Sequence, residues 1–295
     1  MKTKTSYLKY LAALLMFGTN GIVASFIDLN SYEIVLARLL IGTTLLIVVF
    51  VLSRQKVQLF KAKKQMIFLA VSGIAMGASW MFLYEAYQQI GVSIASLAYY
   101  CGPVIVMIAS PVLFRERLTW AKAAGFVTVL AGMVCVNAKA LCEGKTYWGL
   151  FCGAMSALMY AAMVICNKKA EKITGLENSV WQLLAALMTV TVFVGVKQGF
   201  ALHISSKDWI PILILGTVNT GVGCYLYFSS IGNLPVQTVA VCGYLEPLSA
   251  VLFSVIFLHE NMSAIQIAGA VMILGGASFG ELFRSSHSMR IQPKA

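Results

Sequence analysis

The chain has 295 residues, 59% of them apolar and 11% charged, with a mean hydropathy of +0.82 and a formal net charge of +11. A soluble domain carries about a quarter charged residues, so a surface this poor in charge belongs largely in lipid and a soluble globular enzyme is excluded. The positive charge has to be tested against membrane topology before it can argue for nucleic acid.

A spanning helix takes about 20 mainly apolar residues, and ten such segments follow one another. The first five lie at about 7–26, 32–52, 65–86, 92–114 and 120–138. The second five lie at about 148–166, 178–197, 208–230, 235–257 and 264–283. Short gaps leave no room for an inserted soluble domain. Backbone groups in lipid must be satisfied within the segment, which makes the spans helices. The first span follows Lys2, Lys4 and Lys9 as a secretory signal would, but it is too long and apolar for one.

Lys and Arg set the orientation. With the N-terminus inside, 17 of the 22 basic residues fall in inner loops and tails, four fall outside, and Arg38 lies within a helix. That bias predicts a multi-pass protein of the cell (plasma or inner) membrane with both termini cytoplasmic. It accounts for the basic charge, so no nucleic-acid partner is expected. The basic run Phe60–Lys64 orients the neighbouring helices or touches anionic lipid headgroups.

Sliding the chain on itself by 144 residues superposes Glu33 on Glu177, Gly77 on Gly221, Tyr100 on Tyr244 and Pro103 on Pro247. The same offset carries Glu116 onto Glu260, Gly125 onto Gly269 and Gly132 onto Gly276. One constant offset through a pair of prolines and two pairs of glutamates marks an internal repeat. Five helices is an odd number, so the second copy enters the membrane from the opposite side. The expected fold is an all-α membrane protein of ten transmembrane helices in two inverted halves, 1–143 and 144–295, as in many secondary transporters.

The repeated stretches read "ASLAYYCGPVIVMIASPVLFRERLTWAKAAGFVTVLAG" and "QTVAVCGYLEPLSAVLFSVIFLHENMSAIQIAGAVMILGG". Each has a helix with a central proline, a glutamate at its end and a glycine-bearing fifth helix. In this the chain resembles the EamA family of the drug/metabolite transporter superfamily. The resemblance implies a ten-helix carrier with a central cavity lined by the first four helices of each half, the fifth helices being peripheral. Substrates in the superfamily span amino acids, cations, nucleosides and sugar conjugates.

Glu246 lies near the expected mid-membrane, where an ionisable group is costly and functional by default, as a proton site or a counter-ion to a cationic substrate. The competing reading is a structural carboxyl bonded to a neighbouring helix. Pro247 and Pro103 are expected to free the carbonyls of Gly243 and Tyr99 and to act as paired hinges lining the site. Trp80, Tyr99, Tyr100, Tyr160 and Tyr244 are deep aromatic candidates for holding a substrate. Tyr84 joins them, although it and Tyr87 lie near enough to an outer end to be interfacial residues. Arg38 can pair with Glu246 or Glu85, receive a substrate carboxylate, or snorkel to the headgroups. Asn20 and Asn219 are polar candidates for which a helix–helix hydrogen bond is the commoner use. Glu116 and Glu260 are expected to be gate or capping groups.

Seven scattered cysteines and three dispersed histidines form no C-x-x-C pair or ligand cluster, so neither metal nor cofactor is expected. No H-E-x-x-H, G-x-S-x-G or P-loop motif occurs, which argues against catalysis and ATP-driven transport. The expected function is a secondary transporter of a small organic solute (an amino acid, organic cation or related metabolite), working by alternating access, with protons as a possible coupling partner through Glu246. The alternatives are a passive exchanger or channel-like facilitator, or a membrane protein of lipid and envelope metabolism. Either a monomer or a homodimer is compatible with the sequence.

Overall fold

The computed structural model describes residues 2–55, 57–59, 63–90, 95, 98–116, 118–136, 147–199, 204–258 and 263–288, and all regular structure in them is helical. Glu260 lies outside them. The first half holds α1 (Lys2–Gly18), α2 (Asn20–Ala24), α3 (Ser31–Leu52), α4 (Lys63–Ile90), α5 (Gly102–Phe114) and α6 (Trp120–Val136). In the second half, α7 (Tyr147–Lys169) and α8 (Gly175–Lys197) precede a composite rod. The rod consists of α9 (Trp209–Ile214), a π-helical turn (Leu215–Val222) and α10 (Gly223–Ile231). The chain continues through α11 (Val236–Cys242), α12 (Leu245–Leu258) and α13 (Ala264–Ser288).

Six stretches are long and apolar enough to cross a membrane: 4–24, 31–52, 63–90, 147–169, 175–197 and 209–231. Shorter apolar helices at 102–114, 120–135 and 267–276 represent three of the other expected spans. Of the other four expected spans, those at 92–114 and 235–257 are broken, whereas those at 120–138 and 264–283 appear as the continuous helices α6 and α13. The breaks have local causes. Pro103 stands in the first turn of α5 and Pro247 in the first turn of α12, each just after a turn at Tyr100–Cys101 or Gly243–Tyr244. Proline fits a first turn because its missing N–H would be unpaired there anyway. Two further interruptions have no proline: α1 ends at Gly18 and restarts at Asn20, and the eighth span relaxes into the π turn.

The prolines therefore start new helical segments rather than kinking continuous ones. Gly243 does not keep the free carbonyl expected of it, because the Glu246 amide donates to it at 3.2 Å.

Side chains facing outward are apolar. Val112 is 82% exposed, Val196 85% and Ile210 71%, a surface suited to lipid and unsuited to water. Inside, helices approach closely where glycine removes the side chain. A Cβ on Gly77 would lie 2.8 Å from the Ala186 carbonyl, so α4 packs directly on α8. The fifth helices pack on each other reciprocally. A Cβ on Gly132 would lie 2.7 Å from the Gly269 carbonyl, and one on Gly276 would lie 2.6 Å from that of Gly125. Gly125 and Gly269, like Gly132 and Gly276, are the residues that the 144-residue offset superposes.

Replacing Gly77 by valine should force α4 from α8 and cost about 1–3 kcal/mol of stability. Gly275, with nothing within 4 Å of its missing Cβ, should accept alanine with a change within about 0.5 kcal/mol. Denaturant titration of the purified protein in detergent micelles checks both.

Candidate functional site

The break after α1 and the π turn lie against each other and are joined through side chains. Asn219, in the π turn, donates from Nδ2 to the Met16 carbonyl (2.8 Å), Thr19 Oγ1 (2.8 Å) and Asn20 Oδ1 (3.0 Å). The interrupted ladder of α1 is thus satisfied from another helix, as a broken membrane helix requires. Thr220 Oγ1 donates to the carbonyl of Leu215, five residues back, at 2.8 Å. That spacing matches the π turn, in which backbone bonds also run over five residues.

Arg38 is fastened to this joint. Its Nε donates to Thr220 Oγ1 at 2.8 Å, its Nη2 donates to Asn20 Oδ1 at 3.1 Å, and its guanidinium lies 4.9 Å from the centre of the Trp80 ring. It is 5% exposed, so it does not snorkel to the headgroups. Nor does it form a contact ion pair with Glu246 or Glu85; the Glu85 carboxylate instead receives Tyr32, Lys197, Trp148 and Gln89.

Arg38 faces a cavity of about 450 Å³. The lining comes from both halves and includes Glu246, Asn20, Arg38, Trp80, Tyr84, Tyr99, Tyr100 and Tyr160, eight of the ten binding candidates named from sequence. The other two stand behind the wall. Asn219 holds Asn20 from the rear, and Tyr244, fully buried, donates its hydroxyl to the Tyr100 carbonyl at 2.7 Å. Tyr100 and Tyr244 are superposed by the repeat, and their rings lie 6.4 Å apart.

Tyr99 packs edge-on against Tyr100 (5.4 Å) and Tyr160 (5.2 Å), which makes a continuous aromatic wall. Tyr87, read from sequence as an interfacial residue, also lines the cavity with Phe17, Tyr227 and Phe228. Aromatic residues are too common in membrane spans for these last three to stand out by type. The Glu246 carboxylate takes no hydrogen bond among the described residues, although it has a whole cavity in front of it.

The cavity extends to one end of the bundle, where Ala24 closes α2, Ser31 opens α3 and Tyr87 nears the end of α4. The other end is tied shut. Both carboxylate oxygens of Glu116 cap the start of α11, receiving the amides of Val236 (2.8 Å) and Gln237 (3.2 Å). Gln237 receives Lys122 Nζ at 2.8 Å and donates to Ser110 Oγ at 3.0 Å. Lys168 donates to the carbonyls of Ile231, Gly232 and Leu234, which closes the turn before α11. Glu116 thus has the capping role expected of it.

The model of the EamA-like transporter family matches the chain twice, over residues 4–138 and 147–279. The chain belongs to the EamA-like transporter family. One match falls within residues 1–143 and the other within 144–295. Among curated EamA-like relatives, an uncharacterized transporter of Bacillus subtilis, YxxF, is 22% identical over 278 residues, covering 92% of this chain and 88% of that protein. Human solute carrier family 35 member G1 is 20% identical over 82% of this chain and 70% of its own. A protein of known crystal structure covers 96% of the chain with a TM-score of 0.81 at 18% identity, which shows a shared fold. The protein is a membrane transporter of the drug/metabolite type, and nothing in it points to catalysis.

Because Glu116 caps α11, Glu116→Ala should loosen that end of the bundle by about 1 kcal/mol. Hydrogen exchange at the Val236 and Gln237 amides should then speed up about fivefold, with that of α3 unchanged.

Proposed function

We propose that the chain is a secondary carrier that moves a small organic solute across the cell membrane by alternating access. Ten spans in two inverted five-helix halves would cross the bilayer, with both termini in the cytoplasm. Three features support this reading: the bias of the basic residues toward one side, the reciprocal contacts of Gly132 and Gly276, and a cavity shared by the two halves. The tied end carries Glu116, Lys122 and Lys168, which belong to the basic, inner side. The cavity accordingly faces outward, with the cytoplasmic end closed.

Glu246 is the group we assign to the cargo. The carrying observation is that its carboxylate faces the cavity without a partner among the described residues. A buried charge in that position is held at a cost of several kcal/mol. A substrate ammonium or a proton removes the cost on binding, so occupancy alters the balance between open and closed arrangements. Pro103 and Pro247, just past the breaks at Tyr100–Cys101 and Gly243–Tyr244, give the hinges about which α5 and α12 would swing. No nucleotide is needed, since a solute or proton gradient supplies the work.

Purified protein in liposomes should accelerate the flux of a small amine-bearing solute down an imposed gradient without ATP. Glu246→Gln, similar in shape but without charge, should cut that flux at least about tenfold while leaving the thermal melting unchanged. If the glutamine variant carries solute at the wild-type rate across the pH range, Glu246 is a structural carboxyl and the mechanism is wrong.

A further inference from the structure

A second hollow opens on the outside of the bundle. Its volume is about 630 Å³, and it lies where α3 of the first half meets α8 and the composite rod of the second. Leu45, Leu46, Val49 and Val222 form its floor, and Ser53, Gln55 and Thr174 stand at its mouth. Val49 and Val222 are exposed, so the hollow faces the bilayer, and it shares no lining residue with the central cavity. Helical rise over Leu45–Ser53 gives about 12 Å, most of one leaflet in a hydrocarbon core about 30 Å thick. The wall thus changes from apolar to polar over the depth at which a lipid tail gives way to its headgroup.

The internal repeat shows that this space is not a general product of the packing. The offset of 144 brings Val49 onto Phe193 and Leu176, another lining residue, onto Tyr32. In the other half those two aromatic rings meet, 5.7 Å apart, and close the corresponding place. Here two aliphatic side chains leave it open.

The mouth is basic. Arg54 is exposed and lies between two lining residues, Ser53 and Gln55. Lys9 Nζ sits 5.3 Å from the centre of the Tyr225 ring, which is part of the wall. Neither cation forms an ion pair among the described residues. Glu177 is engaged by the Gln58 and Leu59 amides, and the exposed Glu171 and Lys172 offset each other. The Thr174 side chain does not cap α8.

We infer that the hollow binds an anionic phospholipid of the inner leaflet. One acyl chain lies along Leu45, Val49 and Val222, and the phosphate is held by Lys9 and Arg54. A basic pocket between spanning helices on the cytoplasmic side suits such a headgroup. A free anion would leave the apolar floor unused, and a zwitterionic lipid would bring a third cation beside two others. This goes beyond the carrier reading and takes from it only which face is cytoplasmic. The lipid would join α3, which carries Arg38, to the π turn that ends at Val222, and so brace the joint that fixes Arg38.

Full-length protein, stripped of lipid in detergent micelles, is titrated with phosphatidylglycerol, phosphatidylcholine and glycerol phosphate. Native mass spectrometry follows the first molecule bound. Phosphatidylglycerol should bind at least about fivefold more tightly than phosphatidylcholine, and glycerol phosphate should not bind. Arg54→Gln and Lys9→Gln should each weaken phosphatidylglycerol about fivefold. Val49→Phe, which installs the ring of the other half, should remove both lipids. Arg115→Gln controls for general charge and should change nothing. Arg115 is exposed, shares the left-handed backbone of Arg54 (φ 55° and 49°), and follows α5, which lines no part of the hollow. In liposomes, a phosphatidylglycerol with a photoreactive acyl chain should label residues 45–55 in the wild type and spare them in Val49→Phe.

Equal affinity for the two lipids overturns the site, as does an equal loss from Arg115→Gln or unchanged labelling in Val49→Phe. Glycerol phosphate binding as tightly as phosphatidylglycerol makes it a free-anion site and does so too. A Val49→Phe variant that changes oligomeric mass while keeping its lipid gives the hollow to a second copy of the chain, which also overturns it.

Discussion

The fastening of Arg38 is the constraint on which the cavity depends. A guanidinium buried among membrane helices is too costly to leave loose. Its position is set by Thr220 at 2.8 Å, Asn20 at 3.1 Å and the face of Trp80. Those three groups come from the eighth span, the break after α1 and α4, so one side chain locks elements far apart in the chain. The lock requires two helices to give up regular geometry, which explains why the first span restarts at Asn20 and the eighth carries a π turn. Both irregularities lie where backbone faces protein or the cavity, the condition under which a membrane tolerates them.

Symmetry and asymmetry divide the labour. The repeat places Tyr100 against Tyr244, starts α5 and α12 with equivalent prolines, and pairs the fifth helices through four glycines. The charged groups break that symmetry. Glu246 has Gly102 at the equivalent place in the first half, and Arg38 has Gln182 in the second. A Cβ on Gly102 would come within 2.6 Å of the Tyr160 ring, so the first-half position is sterically committed to packing and has no space for a carboxylate. The same backbone element serves as a packing surface in one half and carries a charge in the other.

Much of this was legible in the sequence because its physical basis is periodic or costly. Lipid demands long apolar runs, so their positions emerged from hydropathy alone. Buried charge is rare, so Glu246 and Arg38 stood out. Aromatic residues within the span interior were good candidates, and eight of the ten binding candidates line the cavity. The failures are those of local hydrogen bonding. Asn219 was a polar candidate whose commoner use is a helix–helix hydrogen bond, and that use is the one found: its amide satisfies the interrupted α1 backbone instead of lining the cavity. Tyr244 likewise turned inward to the Tyr100 carbonyl. The Gly and Thr content around Gly216–Gly223 was the available trace of the π turn, but composition alone cannot say which carbonyl a threonine will take.

The central claim, that one cavity between the halves opens to one side at a time, is tested most directly by side-specific labelling. Single cysteines are placed in a cysteine-free background at Ala24, on the open end of the cavity, and at Ser110, behind the tie of Glu116 and Gln237. Each is exposed to a membrane-impermeant maleimide from either face of the membrane. The account predicts that cysteine 24 reacts from outside while cysteine 110 is protected, and that a transported solute lowers the first reactivity as it raises the second from inside. Both sites reacting at once, with no response to solute, would describe an open pore and contradict it.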